Sequence, residues 1–240
     1  MKQTLHIITL RTIKYSDRKN ILTAYTLENG RMAFAVSAGA GASASRMRAL
    51  LMPLSVLECE AQVQPGREIH PLLQASPMTP LHGIHTHPIK ASVALFIAEI
   101  LSIMLREYPA DAYLWQYISY SIKTLAELPT ERIANFHICF LFGLAKMIGI
   151  APDTTEYKEG MIFDMGNGMF RLSAPLNSRH VTAKDSAAVA ILSRISYRTM
   201  HLWRMSREER QTLLDGILEY ISIHYVSLSN LKSLDVVRSL

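Results

Sequence analysis

The chain has 240 residues, of which 49% are hydrophobic and 19% charged. That balance excludes a disordered or low-complexity protein and supplies apolar material for one large core or two small ones. Its formal net charge of +5 is unevenly placed: residues 1–80 hold nine Lys/Arg against five Asp/Glu, and residues 81–240 hold sixteen against fifteen, so a polyanionic partner is expected at the first third.

Leu5–Arg11 reads as a strand. Ile21–Leu27 and Arg31–Val36 flank Asn29-Gly30, a dipeptide suited to a type I′ turn because both central positions need positive φ. Counting outward pairs Glu28 with Arg31, Leu27 with Met32, Tyr25 with Phe34 and Thr23 with Val36. These last three pairs share a bulky face, while Leu22, Ala24, Ala33 and Ala35 share the smaller one. Gly39-Ala40-Gly41 followed by Ser43 and Ser45 lacks the Lys-Ser/Thr ending of a P-loop and reads as a flexible connection between strands. Pro53–Val63 and Glu68–Gln74 make two more strands, turning at Pro65-Gly66. Five strands with no long helix between them indicate a small antiparallel sheet or barrel.

From about Pro88 the period becomes helical. Ala91–Tyr108, Ala112–Glu127 and Thr130–Ile150 are apolar-rich and separated by Pro109 and Pro129, which cannot continue a helix. Met161–Leu172 reads as a lone hairpin around Gly166-Asn167-Gly168. Asp185–Met200 and Arg207–Ser227 are two further helices, the second opening on Ser206 and Glu209 as a capping box. The expected fold class is α+β: a β module over residues 1–80, then a helical domain over 81–240 with a β excursion at 153–180.

Lys14, Arg18 and Lys19 surround Tyr15, Arg31 follows the hairpin turn, and Arg46 and Arg48 follow the Gly/Ser segment. Cations interleaved with an aromatic suit a single strand, because charge tracks phosphates and rings stack on bases. His82, His85 and His87 are close enough to ligate a metal. Their spacing is not helical and no carboxylate stands near, so they read as linker histidines. Cys59 and Cys139 lie far apart, with no Cys-x-x-Cys, so neither a cysteine zinc site nor a disulfide framework is expected. No catalytic constellation stands out, and the apolar stripe through Phe136 and Phe140 reads as core. The amino terminus has no signal-peptide pattern and no apolar run is long enough to span a bilayer, so a cytosolic chain is expected.

Four segments together resemble the bacterial RecO family of recombination mediators. Tyr15–Arg31 is similar to its first hairpin and Ser45–Glu58 to the segment that follows. Phe136–Pro152 is similar to its central helix, and Leu231–Val236 to its closing Lys-Ser-Leu-Asp-Val pattern. The resemblance implies an N-terminal five-stranded OB-fold, a helical domain and a mediator rather than an enzyme, located in the cytoplasm with the nucleoid. It implies binding of single- and double-stranded DNA, strand annealing, and contact with RecR and with the C-terminal tail of single-stranded-DNA-binding protein, so that RecA loads at gaps. Many members carry a four-cysteine zinc module, whereas Asp153–His180 has no cysteine; no zinc and no cofactor are expected. The family's basic loop is replaced here by Gly39–Ala44, which moves the expected DNA contacts to Lys14, Arg18, Lys19, Arg31, Arg46 and Arg48. For the partner tail, the expected residues are Arg132 at a rim with Phe136 and Phe140 in the pocket. The alternative is a protein-interaction adaptor in which DNA contact is secondary.

Overall fold

A computed structural model describes residues 1–79, 81–174 and 179–238, with only the backbone of His82. The chain divides into two compact units, Met1–Glu127 and Leu128–Leu240. In the first, β1 (Lys2–Lys14), β2 (Lys19–Thr26), β3 (Gly30–Ser37), β4 (Val56–Gln62) and β5 (Ile69–Pro77) form a closed barrel in the order β1-β2-β3-β5-β4. β1 serves two neighbours: Lys2–Ile8 pair with β4 and Ile7–Lys14 with β2. The register shifts between Thr9 and Arg11, a bulge that bends the strand as it passes from one neighbour to the other. β3 and β5 run parallel and close the barrel. Leu5, Ile7, Leu22, Ala24, Phe34, Leu57 and Cys59 fill it.

The β2–β3 register differs from the expected one. Thr26 pairs with Gly30, Tyr25 with Arg31, Ala24 with Met32 and Leu22 with Phe34. The loop is three residues long, Leu27-Glu28-Asn29, and Gly30 adopts φ +69° after it. Three-residue hairpins commonly place a glycine in the left-handed region there. Glu28 turns away from Arg31 to accept from the His6 amide at 3.1 Å, while Leu27 N donates to His6 O at 2.9 Å. The slip is odd in parity, so β2 is turned over. Leu22 and Ala24 face the core, and Tyr25 faces outward, fully buried, where its hydroxyl donates to Pro109 O and accepts from Asp111 N, each at 3.2 Å.

The Gly39–Ser45 segment is not a plain connection either. α1 (Ala42–Leu50) forms there, and Met47 and Leu50 pack on the barrel core. Among the described residues, three more helices follow in this unit: α2 (His82–Thr86), α3 (Pro88–Met104) and α4 (Ala112–Glu127). α4 has the bounds read from sequence, and Pro88 opens α3 at a position where its missing N–H costs nothing.

The second unit holds α5 (Phe136–Met147), a sheet of β6 (Ile162–Asp164), β7 (Met169–Arg171) and β8 (His180–Val181), then α6 (Ala183–Leu192), α7 (Arg207–His224) and α8 (Leu234–Arg238). The helix expected over 130–150 is broken: Thr130–Arg132 is a separate 3-10 turn. Asn135 stands at the break, buried, and its amide donates to Met200 O at 3.0 Å and Trp203 O at 2.8 Å while accepting from Arg210 Nε at 3.1 Å. A buried amide must find such partners, and meeting them takes the backbone out of the helix. The helix expected to reach Met200 stops at Leu192. The capping box of α7 is present, with Ser206 Oγ accepting from Glu209 N at 3.1 Å and Glu209 Oε2 accepting from Ser206 N at 2.8 Å. No described helix is long and apolar enough to cross a membrane.

Candidate nucleic-acid interface

The β1–β2 turn is held tightly. Tyr15 N and Ser16 N both donate to Lys19 O, at 3.1 and 2.9 Å, and Ser16 Oγ accepts from Lys19 N at 3.2 Å. This closure pushes Lys14, Tyr15, Arg18 and Lys19 out to solvent, and Tyr15 is 68% exposed. Ala38 N donates to Arg18 O at 3.0 Å, which ties the turn to the end of β3. Arg48 Nη1 donates to Gly39 O at 3.1 Å, so α1 and its exposed Arg46 and Arg48 belong to the same neighbourhood. Lys14 pairs with Asp17 at 2.9 Å, an exposed contact worth at most about 1 kcal/mol. Arg18, Lys19 and Arg46 have no ion-pair partner among the described residues.

Arg11, exposed on β1 opposite Thr23, was not singled out by sequence reasoning. Its signal is three-dimensional: the bulge at Thr9 leads the strand onward beside β2. Arg31 does not join this group. Tyr25, the partner of Arg31, lies six positions along β2 from Lys19, which is about 20 Å of strand. Apart from Asp17, the acids paired with β1 lie elsewhere: His6 Nδ1 contacts Glu28 at 2.6 Å, Lys2 pairs with Glu60 at 2.6 Å, and Glu58 is 3.8 Å from His6 Nε2. The Lys2–Ile8 half of β1 is therefore where Glu28, Glu58 and Glu60 gather, and the unpaired cations gather at its other end.

Of the residues expected to hold a partner tail, only Arg132 is exposed. Phe136 and Phe140 are fully buried, and Phe136 stacks on Tyr197 with ring centroids 4.8 Å apart. Those rings are core and offer no surface to a partner. An open cavity of about 660 Å³ lies against α6 and α7, lined by Ala188, Ile191, Leu213 and Ile217 among others, and its wall carries Asp185, Glu208, Glu209, Asp215 and Glu219 beside Lys184 and Arg204.

His85 Nε2 lies 2.8 Å from Pro53 O, a packing contact between α2 and the segment before β4. Among the described residues no group of three or more His, Cys, Asp or Glu side chains is placed to hold a metal ion. Burial pushes the Cys59 and Cys139 thiols up to about 12, far from the reactive range.

The barrel order and its exposed β1–β2 loop are those of an OB-fold, whose loops and β2–β3 face bind oligonucleotides. Residues 1–81 match the family described as Recombination protein O N terminal, and residues 85–235 match Recombination protein O C terminal. The chain belongs to the RecO family. The DNA repair protein RecO of Phocaeicola vulgatus is 36% identical over 240 residues, covering 100% of this chain and 99% of the relative. That of Bacteroides fragilis is 35% identical over 241 residues, covering 100% and 99%. That of Porphyromonas gingivalis is 33% identical over 239 residues, covering 97% and 96%. Membership of the RecO family places this chain in DNA repair and recombination.

Proposed function

We propose that this RecO-family chain is a recombination mediator that grips single- and double-stranded DNA through Lys14, Arg18, Lys19, Arg46 and Arg48. In this reading it anneals complementary strands and, with RecR, helps RecA load on gaps coated with single-stranded-DNA-binding protein. The observation that carries the reading is the gathering of exposed cations around Tyr15 at one end of the barrel, with Asp17 as the acid paired among them and Glu28, Glu58 and Glu60 at the other end. Annealing needs no covalent step. It needs the mutual repulsion of two strands screened while their bases stay free to pair, which a basic surface with modest stacking supplies.

Protein recognition falls to residues 128–240. A short acidic tail with an apolar end needs an apolar cleft with cations beside it. The α6–α7 cavity supplies the apolar part, but five carboxylates share its wall with Lys184 and Arg204, so the cation for such a tail is exposed Arg132 in the same unit. The adaptor reading rests on this cavity alone. The deciding experiment anneals complementary oligonucleotides coated with the cognate single-stranded-DNA-binding protein. Acceleration by the wild-type chain and its loss in Arg18→Glu/Lys19→Glu support the mediator. No acceleration, with binding indifferent to salt, supports the adaptor.

A further inference from the structure

α4 carries three tyrosines, Tyr113, Tyr117 and Tyr120, at i, i+4 and i+7, the spacing of a single helix face. Tyr113 is 77% exposed, Tyr120 is 58% exposed, and Tyr117 is half-buried. The opposite face, with Leu114, Trp115, Ile118, Ile122 and Leu125, is the buried one, which leaves the rings of Tyr113 and Tyr120 largely in solvent. Aromatic residues are also poorer helix formers than the Lys, Glu and Gln that usually occupy a solvent face. Singly scattered apolar residues on a surface need no explanation, but here three rings line about 10 Å of one helix.

The start of α4 is joined to the β2–β3 hairpin. A Cβ on Gly30 would stand 3.0 Å from Ala110 N and 3.2 Å from Tyr108 O, and Tyr25 Oη bonds to both Pro109 and Asp111. Arg31 follows Gly30 directly and has no ion-pair partner among the described residues, and Tyr113 comes three residues after Ala110. Farther along, exposed Gln116 and Lys123 border the rings, and Lys123 is only loosely paired with Glu127, at 3.9 Å. The hairpin end that carries unpaired Arg31 and the start of α4 that carries Tyr113 therefore lie together. Rings beside cations are the combination that takes unpaired bases with their phosphates.

We propose that the tyrosine face of α4 is a stacking platform for the bases of single-stranded DNA, with Arg31 and Lys123 holding its phosphates. The proposal rests on the DNA-binding reading above and extends it to a second surface of the same unit. It makes the platform specific for single strands, because the bases of a duplex are already stacked on one another. It also accounts for Arg31 standing apart from the other cations.

The test measures binding of the full chain to oligo-dT of two lengths, about 10 and about 30 nucleotides, and to a 30-base-pair duplex. Wild type is compared with Tyr113→Ala/Tyr120→Ala and with Tyr113→Phe/Tyr120→Phe. The alanine pair is expected to lose about tenfold or more on the long single strand, the scale of base stacking on a ring. Duplex affinity and salt slope should stay unchanged, since no cation is removed, and the phenylalanine pair should restore wild-type binding. Photo-crosslinking of bromodeoxyuridine oligonucleotides should map to Tyr113 or Tyr120. If wild type binds single strands and the alanine pair binds them equally well, the platform is overturned while the barrel interface stands. Equal loss on duplex and single strand by a folded alanine pair overturns it too. Failure of wild type to bind any DNA overturns the underlying reading instead.

Discussion

Arg171 Nε lies 2.8 Å from Asp164 Oδ2 across the β6–β7 hairpin, a half-exposed guanidinium meeting a carboxylate with no exposed surface. Asp164 also accepts from the amides of Gly166 at 3.1 Å and Asn167 at 3.2 Å, and from Asn167 Nδ2 at 2.7 Å. One buried acid therefore organises the whole turn in the segment where many family members are expected to carry a metal module. A buried carboxylate is tolerated only with its charge and lone pairs satisfied.

Asp164→Ala is expected to cost about 3–5 kcal/mol, the range for breaking a buried pair and orphaning its donors. Arg171→Ala should cost less, because the turn amides still satisfy Asp164 and the arginine is exposed. Urea denaturation of both variants checks the order. Equal and small losses would show that the turn is held by something else.

His137 is fully buried, and burial, with the Arg210 guanidinium adding to it, pushes its imidazole from the usual 6.5 down to about 3. Between those values the unfolded chain binds a proton that the folded chain refuses. Stability is therefore complete above pH 6.5 and falls as pH drops towards 3, by up to about 1.4 kcal/mol per unit. Thermal unfolding of wild type at pH 7.5 and 5.0 should show the loss, and His137→Leu should reduce it. A variant with an unchanged pH dependence would assign acid sensitivity to other groups.

Charge reversal at Arg18 and Lys19 should weaken both single- and double-stranded DNA across sequences. If about four phosphates are neutralised, the log–log salt slope on single strands is near −3, from about −0.7 per contact. The double variant should have a shallower slope. A wild-type affinity insensitive to salt would remove these cations from the interface.

Two glycines should respond in opposite directions to alanine. Gly30 has φ +69° and backbone atoms of Tyr108, Pro109 and Ala110 within 3.2 Å of its added Cβ, so Gly30→Ala should destabilise by about 2 kcal/mol or more. Gly216 lies inside α7 with nothing within 4 Å of its Cβ position, so Gly216→Ala should stabilise by about 0.5–1 kcal/mol. Melting temperatures of the pair decide both.

The sequence by itself determined what local chemistry controls. Ser206 and Glu209 cap α7 because their side chains reach backbone three residues away, and Pro109 and Pro129 bracket α4 because proline cannot continue a helix. Met32, Phe34 and Val36 share the inner face of β3 because alternation is a property of one strand. The tertiary structure decided everything that depends on a second element. β2 turned over because the loop took the three-residue form ending on Gly30 rather than the two-residue one, and Glu28 within it is held by His6 on β1, twenty-two residues away. α5 begins at Phe136 because Asn135 is spent on Met200, Trp203 and Arg210. The same cause divides the cations: Arg18 and Arg48 come together through Ala38 and Gly39, while Arg31 goes with the start of α4 because Gly30 alone admits the backbone of Ala110. Spacing along the chain sets which residues share a face; only the packing of one element on another sets which faces meet.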